Sequence, residues 1–122
     1  MTSILIIEDE ANIRKLISVN LVARGYNVIE AEDGQEGLAR LRDASPSMLL
    51  LDLKLPGMSG WDILQIMTED PAYHPIPVII ITASLGNINP DYVLYKNKNL
   101  RKILKKPINI QELTNEVRKA LS

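Results

Sequence analysis

The sequence predicts an α/β fold: a five-stranded parallel sheet, doubly wound, with a helix after each strand. Three observations carry the prediction. Short runs of β-branched residues or leucine recur along the chain, and three of them are apolar on both faces, as strands covered by helices on each side must be. Between these runs lie patterns with helical spacing, opened by capping residues and closed by glycine or polar breaks. Strand and helix patterns alternate five times, which requires right-handed crossovers between parallel strands. At 122 residues, nearly half of them apolar, the chain has the length of one domain with a real core, and the expectation is a single domain over residues 1–122.

The first run is SILII (3–7). The helix after it carries Ile13, Leu16, Ile17 and Leu21 at core-facing spacing and stops at Gly25, a natural C-terminal signal. YNVIEA (26–31) is the second strand, and Asp33 with Glu36 three residues on is a capping-box pattern for a helix holding Leu38 and Leu41 inward. MLLLD (48–52) is the third strand. Ser59 with Asp62 repeats the capping pattern ahead of Ile63, Ile66 and Met67. PVIIIT (77–82) is the fourth strand, followed by Asn89 and Pro90 as N-cap and first residue of a short, mostly polar helix to Lys96. RKILK (101–105) is a weaker fifth strand, and Asn109 with Glu112 opens a last helix striped by Leu113, Val117 and Leu121.

Composition excludes several classes of function. A formal net charge of −1 argues against bulk nucleic-acid binding. MTSILIIEDE lacks the basic start of a signal peptide, and no apolar stretch is long enough to span a bilayer. Absence of cysteine fits a reducing compartment, so the expected location is the cytoplasm. No repeat, heptad or low-complexity segment suggests a solenoid, coiled coil or tail.

In open sheets of this kind ligands bind beyond the carboxyl ends of the strands. Glu8, Asp9 and Glu10 follow the first strand and Asp52 ends the third, so two acidic clusters meet at one sheet edge, where their repulsion calls for a cation. Oxygen donors, with no cysteine and one distant His74, point to Mg²⁺ or Mn²⁺ rather than zinc. An aspartate in such a place can attack a phosphoryl donor, given charge neutralisation and in-line positioning. On this reading Asp9 ligates the metal, Glu8 does so directly or through water, and Asp52 is both ligand and nucleophile. The Lys54 carbonyl completes the metal shell, Lys106 contacts a phosphoryl oxygen as a point charge, and the Thr82 hydroxyl bonds another. Acids after a strand also cap helices, and a lone lysine or strand-end threonine is commonly a local structural residue; their coincidence at one edge is what favours a site.

The arrangement resembles the receiver domain of two-component response regulators over nearly the whole chain. The resemblance rests on LIIEDE with Glu8 and Asp9, DLKLPGMSGWDIL from Asp52, ITA with Thr82 and Ala83, and Lys106 with Pro107. It implies the flavodoxin-like strand order 2-1-3-4-5, phosphorylation of Asp52 by a sensor histidine kinase or phosphotransfer protein, and a switch through Thr82, Ala83 and Lys106. It also implies a cis bond between Lys106 and Pro107. Such a domain catalyses only its own modification and is not an enzyme with turnover. Its message passes to a downstream partner through the face of the fourth helix, fifth strand and fifth helix.

Two departures stand out. Ile103 occupies the position where the family usually has Tyr or Phe, so the aromatic switch is missing, and Asn99 with Leu100 replace the usual Gly-Ala pair. Both are expected to alter that output face. Lys96, Lys98, Arg101, Lys102, Lys105 and Lys106 crowd eleven residues without an acid, read as a solvated helix end and lysine-protected edge strand in preference to a docking patch. Trp61 is expected to pack at the start of its helix near the site, and His74 to be a loop residue. Lys54 and Ser84 are candidates for tuning phosphate loss. The competing readings are a degenerate receiver acting as a phosphorylation-independent interaction module, and a haloacid-dehalogenase-type phosphatase. The second lacks its general acid, because Lys54 stands two residues after the nucleophile position. A flavin site fails because three acids would repel a cofactor phosphate.

Overall fold

The computed structural model describes residues 2–122. Five parallel strands, β1 (Ser3–Ile7), β2 (Asn27–Ala31), β3 (Met48–Asp52), β4 (Val78–Thr82) and β5 (Leu100–Lys105), form one sheet in the order β2-β1-β3-β4-β5. The helices are α1 (Ala11–Ala23), α2 (Gly34–Ala44), α3 (Gly60–Glu69), α4 (Pro90–Lys96) and α5 (Ile110–Leu121).

Alternate residues of each central strand feed two separate cores, the signature of a sheet covered on both sides. Ile4, Ile6, Met48, Leu50, Ile79 and Ile81 pack with Ile17 and Leu21 of α1 and Leu113 and Val117 of α5. Leu5, Ile7, Leu49, Leu51, Val78 and Ile80 pack with Leu38 and Leu41 of α2, Ile63, Leu64 and Met67 of α3, and Val93 of α4. One expected core residue is displaced: Leu16 of α1 is 47% exposed, because the buried face of that helix is narrow and centres on Ile17 and Leu21.

Local signals act where expected. After α1, Gly25 takes φ +90°, and the N–H groups of Gly25 and Tyr26 donate to the carbonyls of Val22 and Leu21, a Schellman closure. Ser59 and Asp62 form a full capping box, whereas Asp33 accepts from the Glu36 N–H without the reciprocal bond being formed. Asn89 caps α4 through the Asp91 N–H. Strand β2 begins one residue later than predicted, at Asn27, and β5 one residue earlier, at Leu100.

The Asn99–Leu100 pair does not lie on an outer face, contrary to expectation. Both side chains are buried. The Asn99 side-chain Nδ2 donates to the carbonyls of Tyr73 at 2.6 Å and Ile76 at 2.9 Å, while the Asn99 main-chain carbonyl accepts from the Val78 N–H at 2.8 Å. Asn99 thus fastens the start of β5 to the loop before β4, a structural duty that a glycine could not perform.

Candidate functional site

The strand order reverses direction between β1 and β3, and the acidic residues sit there. Glu8 follows β1 directly. Its N–H donates to the Ala31 carbonyl at 3.1 Å and its own carbonyl accepts from Arg14 Nη1 at 2.7 Å, so its main chain is fixed from both sides. Asp52 is the last residue of β3, with 4% of its surface exposed. Its Oδ1 accepts from the Lys54 N–H at 3.2 Å, which orients the carboxylate, and its Oδ2 accepts from Lys106 Nζ at 3.2 Å.

Lys106, one residue past β5, joins the two clusters. Its ammonium lies 2.9 Å from Glu8 Oε1, 3.2 Å from Glu10 Oε1 and 3.2 Å from Asp52 Oδ2. The contacts to Glu10 and Asp52 are hydrogen bonds, and the contact to Glu8 is the shortest of the three ion pairs. The Lys106–Pro107 peptide is cis.

Burial pushes the Glu8 carboxyl up to about 7; the Lys106 ammonium and the Glu10 N–H pull it back, and the Asp52 charge adds to the rise. For Lys106, burial works against the ammonium, but its contacts with Glu8 and Asp52 outweigh that cost and hold it above the ordinary lysine range.

The residues present suit a hard divalent cation. Carboxylate oxygens of Glu8, Asp9 and Glu10 lie within 4.8 Å of one another, and Lys106 is a single positive charge set against the carboxylates of Glu8, Glu10 and Asp52 together. The donors are all oxygen, the chemistry of Mg²⁺ or Mn²⁺.

Thr82 ends β4 fully buried. Its hydroxyl donates to the Ser84 carbonyl at 3.1 Å, and its carbonyl accepts from the Lys106 N–H at 2.8 Å. The hydroxyl is therefore engaged within its own loop, while the main chain of Thr82 is stitched to that of Lys106. Ala83 and Ser84 are exposed. Ile103 pairs with Ile80 and lies half-buried against the core beneath α4. Trp61 is half-buried against the same core, and His74 donates through Nε2 to the Thr68 carbonyl at 2.9 Å, closing the end of α3.

Two contacts at the site escape sequence reasoning. Glu10 holds Lys106, a pairing 96 positions apart whose only trace in the sequence is a third acid in the LIIEDE run. Gly60 opens α3 against the backbone of the phosphoacceptor candidate: a Cβ there would collide with the Asp52 carbonyl oxygen and stand 2.7 Å from Leu53 Cα.

A doubly wound sheet with acids and a lysine converging at its switch point defines a class of small signalling domains. The chain belongs to the response regulator receiver domain family, whose model matches residues 4–118. It is 36% identical over 121 residues to the DNA-binding dual master transcriptional regulator RpaA of Synechocystis, covering 99% of this chain and 49% of that protein. It is 30% identical over 122 residues to protein PilH of Pseudomonas aeruginosa, covering 100% of this chain and 99% of PilH. The chain thus spans about half the length of RpaA, and also of the mycobacterial regulator MtrA, but nearly all of PilH. Among solved structures it is similar to response regulator TrrA of Thermotoga maritima in complex with Mg²⁺-BeF, with TM-score 0.84, 28% identity, and coverage of 99% of this chain and 100% of that one. The fold is the flavodoxin-like one, and the function is that of a response regulator receiver domain in two-component signalling. Among the described residues no helix is long and apolar enough to cross a membrane.

Proposed function

We propose that residues 1–122 form one cytoplasmic receiver domain in which Asp52 accepts a phosphoryl group from a sensor histidine kinase or phosphotransfer protein. One observation carries this reading: Lys106 reaches from the end of β5 to Asp52 while also holding the acids after β1. The reaction needs an oriented nucleophile and a fixed positive charge beside it. Asp52 is oriented by the Lys54 N–H, and the ammonium of Lys106 stands next to the oxygen that would carry the new charge.

A carboxylate oxygen of Asp52 forms a bond to phosphorus as the bond from phosphorus to the donor's imidazole nitrogen breaks, and the electron pair leaves on that nitrogen. A bound Mg²⁺ or Mn²⁺ supplies charge neutralisation between the carboxylates and the phosphoryl oxygens. Glu8, Asp9, Asp52 and the Lys54 carbonyl would hold it. Lys106 then bonds a phosphoryl oxygen. The Thr82 hydroxyl, released from Ser84 by rotation of its side chain, takes another, with Ala83 moving alongside. Turnover is limited to the domain's own modification and its reversal.

The altered state is read by a downstream protein on the face of α4, β5 and α5, where Ile103 stands in place of an aromatic ring. A partner can act as receptor only if its affinity differs between the two states.

Intact-mass spectrometry after incubation with acetyl phosphate and Mg²⁺ tests the proposal. The wild type gains one phosphoryl group and Asp52→Asn gains none. An unmodified wild type, or equal modification of the variant, would refute it.

A further inference from the structure

We infer that Glu10 is a displaceable counter-ion: it occupies a hydrogen of the Lys106 ammonium while Asp52 is unmodified, and yields that hydrogen to the incoming phosphoryl oxygen. The inference rests on the receiver reading above and assigns a positioning role to a residue outside the expected ligand set.

An ammonium has three hydrogens. In this structure two of them are spent in hydrogen bonds, one to Asp52 Oδ2 and one to Glu10 Oε1, both at 3.2 Å. Glu8 Oε1 lies closest, at 2.9 Å, so three carboxylates share the one ammonium. Three carboxylate oxygens already stand within 3.2 Å of the ammonium, so a phosphoryl oxygen that bonds Lys106 must take the place of one of them.

The cost of release differs sharply among the three carboxylates. The side chains of Glu8 and Asp52 are 3% and 4% exposed, and a buried carboxylate stripped of its cation is left uncompensated. Asp52 is also the group being modified. The Glu10 side chain is 59% exposed, so water solvates it as soon as the lysine departs, and breaking an exposed pair costs little. Release from Glu10 is therefore the low-cost path.

Main-chain geometry supports the same division. The Glu10 N–H donates to Glu8 Oε2 at 3.1 Å, which ties the backbone of Glu10 to the site while its side chain swings free. Glu10 can let go of Lys106 without disturbing Glu8.

The role predicts behaviour that a metal-ligand role does not. Glu10→Gln keeps the size of the side chain and removes the charge that competes for Lys106. Its dissociation constant for beryllofluoride, followed by amide NMR at Thr82 in saturating Mg²⁺, should fall about two- to fivefold, the range of an exposed ion pair. In a Lys106→Met background the same substitution should change that constant by less than about 1.5-fold, because the effect runs through the lysine. In the wild type, loading beryllofluoride should move the Glu10 side-chain carboxyl ¹³C resonance to the position it has in Lys106→Met.

Three results would overturn the inference. One is an unmoved Glu10 carboxyl resonance on loading. Another is an effect of Glu10→Gln that persists undiminished without Lys106, which would mark a general field effect. The third is a loss of Mg²⁺ affinity of about tenfold or more in unloaded Glu10→Gln, the scale of a lost coordination contact. Failure of the wild type to bind beryllofluoride at all would instead strike the receiver reading, so the two failures are separable.

Discussion

Gly60→Ala tests the link between helix packing and the site most directly. The first residue of α3 lies over the chain that leaves β3, and its N–H donates to the Leu53 carbonyl at 3.0 Å. The alanine methyl would meet the Asp52 carbonyl oxygen and Leu53 Cα, the latter at 2.7 Å. Carbon atoms in contact prefer separations of about 3.5–4.0 Å, so α3 or the segment after Asp52 must retreat by roughly an ångström. Both obstacles are backbone, with no side chain to rotate away.

Overpacking of this kind costs about 1–3 kcal/mol. With an unfolding entropy near 2.1 cal/mol/K per residue, each kcal/mol lowers the melting temperature of a domain this size by about 4 °C, so the expected loss is about 4–12 °C. The same retreat displaces the Lys54 N–H from Asp52 Oδ1, so phosphorylation by acetyl phosphate should slow as well. Calorimetry paired with intact-mass time courses measures both. A melting temperature within 1 °C of wild type with an unchanged rate would refute the packing argument.

Other perturbations separate the remaining contributions. Asn99→Ala removes both donors to the Tyr73 and Ile76 carbonyls and should cost about 2–3 kcal/mol by chemical denaturation, with Asp52 modification unchanged because Asn99 lies at the opposite end of the sheet. Ser59→Ala breaks the capping box of α3 and should cost about 1 kcal/mol, restored largely by Ser59→Asp. Glu8 provides a pH signature in chelator. Its carboxyl stands at about 7 folded against 4.5 in the unfolded chain, so the folded state binds the proton more tightly, and stability falls as pH rises from about 4.5 through 7. Glu8→Gln should abolish that decline and leave the variant about 1–3 kcal/mol more stable than wild type at pH 8, measured by urea titration. A wild-type curve that is flat or rising across this window would contradict the assignment.

Much of the fold was legible because its signals are local. Continuous apolar runs announced buried strands, and Asp33, Ser59, Asn89 and Asn109 announced four helix starts, since a cap depends on residues only two or three positions away. Leu16 was misplaced because spacing alone does not say how wide a helix's buried stripe is. Within the site, the convergence of Asp52 and Lys106 followed from strand ends sharing one edge. What periodicity could not supply was contact between distant positions. Asn99 looks like an altered surface in one dimension, yet three dimensions turn it inward onto Tyr73 and Ile76. The contact of Glu10 with Lys106 and the closeness of Gly60 to Asp52 belong to the same class, where only packing decides who meets whom.

Strand β5 is an outer strand secured at both extremities, by the Asn99 amide at its foot and by Lys106 at its head. Between these anchors Arg101, Lys102 and Lys105 project outward with no carboxylate pairing recorded among the described residues. A span clamped at its ends tolerates redecoration along its length. On the proposed reading of the α4, β5 and α5 face as the one a partner meets, mutation there would change which partner is recognised while the contacts around Asp52 stay as they are.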